Sequence, residues 1–271
     1  MPVSLDQILA ATRRKLRENR HAVDVRQLEC AAQAHLPRGF RSALERRAKN
    51  EAAIIAELKK ASPSRGLIRA DFHPDALAAG LEHSGAAALS VLTDAEFFQG
   101  SLDNLRMASA NTELPCLRKD FIVDEIQILE ARANGADAIL LIVAALSELE
   151  LRNLARCAVE CGLDVLCEIH DPEELHRAVD AGCTVIGVNN RDLRTFKVDL
   201  NTAFRLADQV PDQALRVAES GIRNGGDIAR LRAAGYHAFL IGESLMAAES
   251  PGEVLRTLIA ESQAKPVASF G

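Results

Sequence analysis

The chain has 271 residues, 48% of them hydrophobic and 26% charged, with a net charge of −6. That length suits one α/β barrel, which needs about 250 residues. The acidic balance argues against nucleic acid or an anionic membrane as partner, because both require a basic footprint. A small anionic molecule remains compatible, since a local cluster of Lys and Arg is enough to hold it. No apolar run reaches the ~18 residues of a membrane span, and Met1-Pro2-Val3-Ser4-Leu5-Asp6 carries no secretory leader pattern. Trp is absent and Tyr occurs once. Core volume must therefore come from Ala, Leu, Ile and Val, the stock of strands buried on both faces. Cys30, Cys116, Cys157, Cys161, Cys167 and Cys183 form no C-x-x-C pair and sit in apolar surroundings. They are expected to be buried, reduced thiols in a cytoplasmic protein.

Residues 1–50 read as a helical extension. Ser4 is placed to cap a helix carrying Leu5, Ile8, Leu9 and Leu16, and a second helix is expected over 42–49. From residue 52 short apolar runs alternate with amphipathic stretches. Strands are expected at 53–58, 87–92, 116–119, 138–143, 165–169, 185–188, 216–219 and 238–241. Helical patterns at 74–83, 124–133, 149–160 and 172–181 lie between them. Gly85, Gly135, Gly162, Gly182 and Gly235 stand where helices end before the next strand, as C-cap glycines do. Eight tandem βα units have one common closed solution, a (β/α)8 TIM barrel. A doubly wound open sheet would more often have five or six strands and a Gly-rich first turn, and no G-x-G-x-x-G occurs. The expected organisation is one barrel domain over residues 1–271, with 1–50 as its extension.

In such a barrel the chemistry collects at the C-terminal ends of the strands. Alternation puts Glu57 and Lys59 on one face of the first strand. Lys119, Glu168, Asn189 and Glu219 end later strands at similar height. Charges in so dry a cup must pair. Two neighbouring ammonium groups should also depress each other's pKa and ease proton donation. Ser220-Gly221 and Gly242-Glu243 follow the last two strands, where barrel phosphate sites lie. Ser62 is placed to close this grip. The Glu243 carboxylate is expected to point away from it, and an acidic residue at Gly242 is expected mainly to raise KM. Asp171 and Pro172 look like the start of a helix, with His170 merely packing beside it.

Several stretches together resemble the indole-3-glycerol phosphate synthase family: Ala56-Glu57-Leu58-Lys59-Lys60-Ala61-Ser62-Pro63-Ser64, Leu117-Arg118-Lys119-Asp120-Phe121-Ile122, and Ile186-Gly187-Val188-Asn189-Asn190-Arg191-Asp192-Leu193. Thr93-Asp94-Ala95-Glu96-Phe97-Phe98-Gln99-Gly100, Ala218-Glu219-Ser220-Gly221-Ile222 and Leu240-Ile241-Gly242-Glu243 add to it. The resemblance covers about residues 4 to 260. It implies closure of an indole ring, with loss of carbon dioxide and water, from 1-(2-carboxyphenylamino)-1-deoxy-D-ribulose 5-phosphate in tryptophan biosynthesis. It implies no cofactor and no metal. Lys119 is the expected acid for ring closure and Glu168 the base for dehydration, with Lys59 or Lys119 as the second acid. Glu57 and Glu219 would hold the lysines, and Lys59 is a candidate partner for the substrate carboxylate. Asn189, Arg191 and Ser220 would orient the substrate; Phe98, Phe121, Leu140, Ile142 and Leu193 would wall its aromatic ring. A monomer or weak homo-oligomer is expected. A phosphoribosylanthranilate isomerase would need a Cys–Asp type pair instead of two lysines. A non-catalytic phosphate-binding barrel would keep the grip but need no Lys–Glu cup.

Overall fold

Eight parallel strands close on themselves in a computed structural model that describes residues 3–20, 24–193 and 195–263. They are β1 (Ala53–Leu58), β2 (Ala88–Leu92), β3 (Cys116–Lys119), β4 (Ala138–Ile142), β5 (Asp164–Ile169), β6 (Val185–Asn189), β7 (Leu215–Glu219) and β8 (Ala238–Ile241). Each pairs with its neighbours in sequence, and β8 returns to β1 through the register Ala53↔Ala238 to Ala56↔Ile241. An open sheet is thereby excluded. The expected strands agree with these to within one residue at either end. The five helix-ending glycines all have positive φ, between 71° and 96°, which a Cβ would disfavour.

Alternation divides each strand between two cores. Ile54, Ala56 and Leu58 face outward into the layer between strands and helices. Ala53 and Ile55 face inward, where Leu117, Ala138, Leu140, Leu166, Val217 and Leu240 fill the barrel. Continuing that inward series toward the strand ends brings in Glu57, Lys119, Glu168, Asn189 and Glu219. The same parity that packs the lower barrel with aliphatic side chains therefore arms its upper end.

Three helices precede the barrel: α1 (Leu5–Asn19), α2 (Val25–Ala34) and α3 (Phe40–Ala48). Ser4 caps α1 in a capping box with Gln7, as its position suggests. α2 was not expected; only Ala32 of it is buried. α3 begins two residues before the expected start, because Gly39 turns the chain with φ 76°. Phe40 and Leu44 of α3 are fully buried and plug the bottom of the barrel. The joint before α3 is pinned by Arg38, whose guanidinium makes paired bonds to the buried Asp137 carboxylate at 2.7 and 3.0 Å.

The outer layer comprises α4 (Pro74–His83), α5 (Leu102–Ala110), α6 (Glu125–Ala133), α7 (Glu148–Glu160), α8 (Pro172–Asp180), α9 (Asn201–Leu206), α10 (Gly225–Ala233) and α11 (Pro251–Gln263). Cys167 and Cys183 stand side by side in this layer, with Cα atoms 6.4 Å apart. Cys167 lies on β5 and Cys183 just before the adjacent β6, so one βα unit brings together two residues 16 apart in sequence. Of the other four cysteines, Cys116 is buried, Cys157 and Cys161 are half-buried, and Cys30 is exposed. No described helix is long and apolar enough to cross a membrane.

Candidate active site

A cavity of about 850 Å³ opens at the C-terminal end of the barrel, and every site residue expected from the sequence lines it. Glu57, Lys59 and Ser62 come from β1 and its loop, Lys119 and Phe121 from β3, and Leu140 and Ile142 from β4. Glu168 comes from β5; Asn189, Arg191 and Leu193 follow β6; Glu219, Ser220 and Gly221 follow β7; Gly242 and Glu243 follow β8. Phe98 arrives on a one-turn helix after β2 (Ala95–Phe98).

The centre of the cavity is an ion cluster. Lys119 Nζ lies 3.4 Å from Glu219 Oε2, 3.5 Å from Glu168 Oε2 and 3.9 Å from Glu57 Oε2. Lys59 Nζ donates to Glu57 Oε1 at 2.6 Å. The three carboxylates are buried. Gly187 on β6 makes this convergence possible: a Cβ there would stand 2.1 Å from Glu219 Oε1. The Asn189 Oδ1 accepts the Arg191 backbone N–H at 3.0 Å, which leaves its NH2 to donate to Glu168.

Burial and charge split the three carboxylates. Burial opposes ionisation of Glu57 and Glu168, but Lys119 beside both, and Lys59 beside Glu57, hold them below the usual carboxylate range. Burial pushes Glu219 up to about 8, reinforced by Glu168 and Glu57 and only partly offset by Lys119. Of the three, Glu219 therefore holds a proton most readily, and Glu57 and Glu168 least. Lys119 departs from the expectation of a depressed lysine. Burial lowers its affinity for a proton, yet Glu219, Glu168 and Glu57 outweigh burial and raise it above the ordinary lysine value. Three acids around one ammonium prevail over any repulsion from the second.

At the rim, Phe98 and Phe121 meet with ring centroids 6.1 Å apart, above the buried Leu140 and Ile142. Ser220 (φ 63°) and Gly221 (φ 80°) form a left-handed turn after β7, a conformation a serine adopts at a cost. The Glu243 carboxylate is held by arginines. It lies on the rim, 2.7 Å from Arg65 and 3.7 Å from Arg191, so two guanidinium groups offset its charge. Arg65 was missed because it sits in the exposed tip of a two-residue-strand hairpin (Ala61–Ser62 with Gly66–Leu67). Val3, Leu5 and Ile8 also line the cavity, so the start of the extension forms part of its wall.

The barrel is shared widely. Thiamine phosphate pyrophosphorylase from Pyrococcus furiosus superposes with a TM-score of 0.59 at 15% identity, over 78% of this chain and 95% of that one. A mandelate oxidase mutant reaches 0.59 at 21% identity, over 78% and 72%. Such likeness shows the fold alone. The family model described as indole-3-glycerol phosphate synthase matches residues 5–258. The chain belongs to the indole-3-glycerol phosphate synthase family. The indole-3-glycerol phosphate synthase of Koribacter versatilis is 60% identical over 96% of this chain and 100% of that protein. That of Chlorobium chlorochromatii is 52% identical over 80% and 84%. The reaction of an indole-3-glycerol phosphate synthase is a carboxy-lyase step of tryptophan biosynthesis: the indole ring closes with loss of carbon dioxide and water.

Gly242 packs directly against the ion cluster. A Cβ there would stand 2.4 Å from Glu57 Oε1 and 2.8 Å from Glu57 Cβ. Gly242→Ala therefore forces Glu57, or the strand end that carries it, to shift. Substitution here is expected to lower kcat as well as raise KM, with kcat/KM down roughly tenfold or more. Steady-state kinetics on protein of unchanged melting temperature checks this; a change in KM alone would return Gly242 to the phosphate role only.

Proposed function

We propose that Lys119 and Glu168 carry the proton transfers of the ring closure. The aromatic carbon attacks the ketose carbonyl carbon, and the carbonyl oxygen takes a proton from the Lys119 ammonium. The carbon–carboxylate bond then breaks, and its electron pair restores the aromatic ring. Glu168 next takes a proton from the new ring as the hydroxyl leaves with a proton from Lys59 or Lys119. One observation carries this reading: the half-buried Lys119 ammonium stands 3.5 Å from the buried Glu168 carboxylate on a different strand, facing the same cavity.

Glu57 holds the lysines through its contacts with both, and Glu219 shares that task. Lys59 also receives the substrate carboxylate. The backbone around Ser220, Gly221, Gly242 and Glu243 grips the phosphate, with Ser62 closing it and Asn189 and Arg191 orienting the substrate. Phe98, Phe121, Leu140, Ile142 and Leu193 cover the aromatic ring and keep water away. The chemistry needs proton transfers only, so we propose no metal or cofactor. The same reading takes the chain as one barrel domain with its extension, a cytoplasmic monomer or weak homo-oligomer, acting on a small phosphorylated substrate.

The test is direct. The chain is incubated with the carboxyphenylamino ribulose phosphate while indole fluorescence is followed, against the low background of a protein without Trp. Growth of the signal is expected. Saturable binding with no indole formed would reduce the site to a phosphate-binding barrel.

A further inference from the structure

His170 does not line the cavity, yet it approaches Glu168 from behind. Its Nε2 lies 3.6 Å from Glu168 Oε1, while its Nδ1 lies 3.0 Å from Glu174 Oε2. Glu174, on the first turn of α8, also accepts the His170 backbone N–H at 2.8 Å, which fixes the loop that carries the ring. Asp171 takes no part in this; it caps α8, as the sequence suggests, and Pro172 follows. The expectation that His170 only packs beside the helix is therefore too weak.

We infer that His170 is a positioning residue that keeps Glu168 ionised and fixed, with Glu174 holding the far side of the imidazole. Either neutral tautomer would set a nitrogen lone pair against one of the two carboxylates. Only the imidazolium donates to both. The groups facing the ring are Glu168 from β5, Glu174 from α8 and Glu219 from β7. The turn at Val143–Ala145 that α8 packs against carries no charge. Burial disfavours the imidazolium, but Glu174, Glu168 and Glu219 together raise His170 above its ordinary value. Nε2 is buried with no other hydrogen-bond partner, and the carboxylate oxygen it faces is Glu168 Oε1 at 3.6 Å. Glu168 thus has a cation on each side: Lys119 toward the cavity at Oε2 and His170 behind at Oε1.

The inference rests on Glu168 as the base, and the experiment separates the two claims. kcat/KM of the full chain is measured against pH for the wild type, His170→Gln, Glu174→Gln and Glu168→Gln. In parallel, the Glu168 carboxyl is followed by 13C NMR titration, its signal assigned from its loss in Glu168→Gln. His170→Gln keeps a donor toward Glu168 but removes the charge. Its acid limb is expected to move up by about one pH unit, costing roughly tenfold below the limb, with KM little changed. The Glu168 signal should titrate higher by the same amount. Glu174→Gln should act in the same direction, and it serves if His170→Gln fails to fold. An unmoved limb and an unmoved carboxyl titration in both variants would overturn the inference. Full turnover in Glu168→Gln would instead remove Glu168 as base, while the carboxyl titration still reads its coupling to His170.

Discussion

Lys119→Met is expected to lower kcat by roughly 10²–10³-fold with KM little changed, as loss of a general acid does. Two effects add. The carbonyl oxygen loses its proton donor, and three buried carboxylates lose the cation they share. Glu57 and Glu168 owe their low pKa values in part to Lys119, so both should bind protons more readily without it. Glu168 then becomes a poorer base just as the acid disappears. Because the surrounding acids hold Lys119 above the usual lysine range, its proton passes only as the alkoxide develops, and its charge stabilises that alkoxide up to the transfer. Lys119→Arg, which keeps the charge and alters its position, should recover only part of the rate. Indole formation at saturating substrate checks this, and undiminished turnover in Lys119→Met would remove it from the acid role.

Glu168→Gln is expected to arrest the reaction after ring closure has begun, with kcat down by roughly 100-fold or more. The glutamine keeps the size of the side chain and a donor–acceptor end, so substrate binding should survive. The acid limb of the wild-type profile should follow Glu168. Its lowered pKa keeps it a carboxylate at neutral pH, and activity falls as pH drops through the folded value. Glu219 is the poorer candidate, since burial raises its pKa where Lys119 and His170 lower that of Glu168. Rapid quenching should trap a species that has lost carbon dioxide or formed the new bond yet retains its hydroxyl. Unchanged product formation would reassign the base.

The sequence carries the barrel and its arming together, for one physical reason. Period-2 alternation in short, doubly buried strands determines both which aliphatic residues fill the interior and which charged residues crown it. That is why Glu57, Lys119, Glu168 and Glu219 could be named in advance. What depends on distance across the barrel could not be read. The sign of the Lys119 shift follows from how many acids reach it, not from its neighbours in sequence. His170 owes its importance to a 3.6 Å approach to Glu168, and Arg65 to a hairpin tip that bends over Glu243. The Cys167–Cys183 approach spans a whole helix, and no local motif marks it. α2 went unseen because it buries so little.

The chain ahead of the barrel grips it from both ends. α3 stops the bottom with Phe40 and Leu44, Arg38 is bolted to Asp137, and α1 arrives at the open end with Val3, Leu5 and Ile8 against the substrate space. Part of the cavity wall is thus built from a segment outside the eightfold repeat. Altering those three aliphatic residues would change the volume of the cavity while leaving all eight strands untouched.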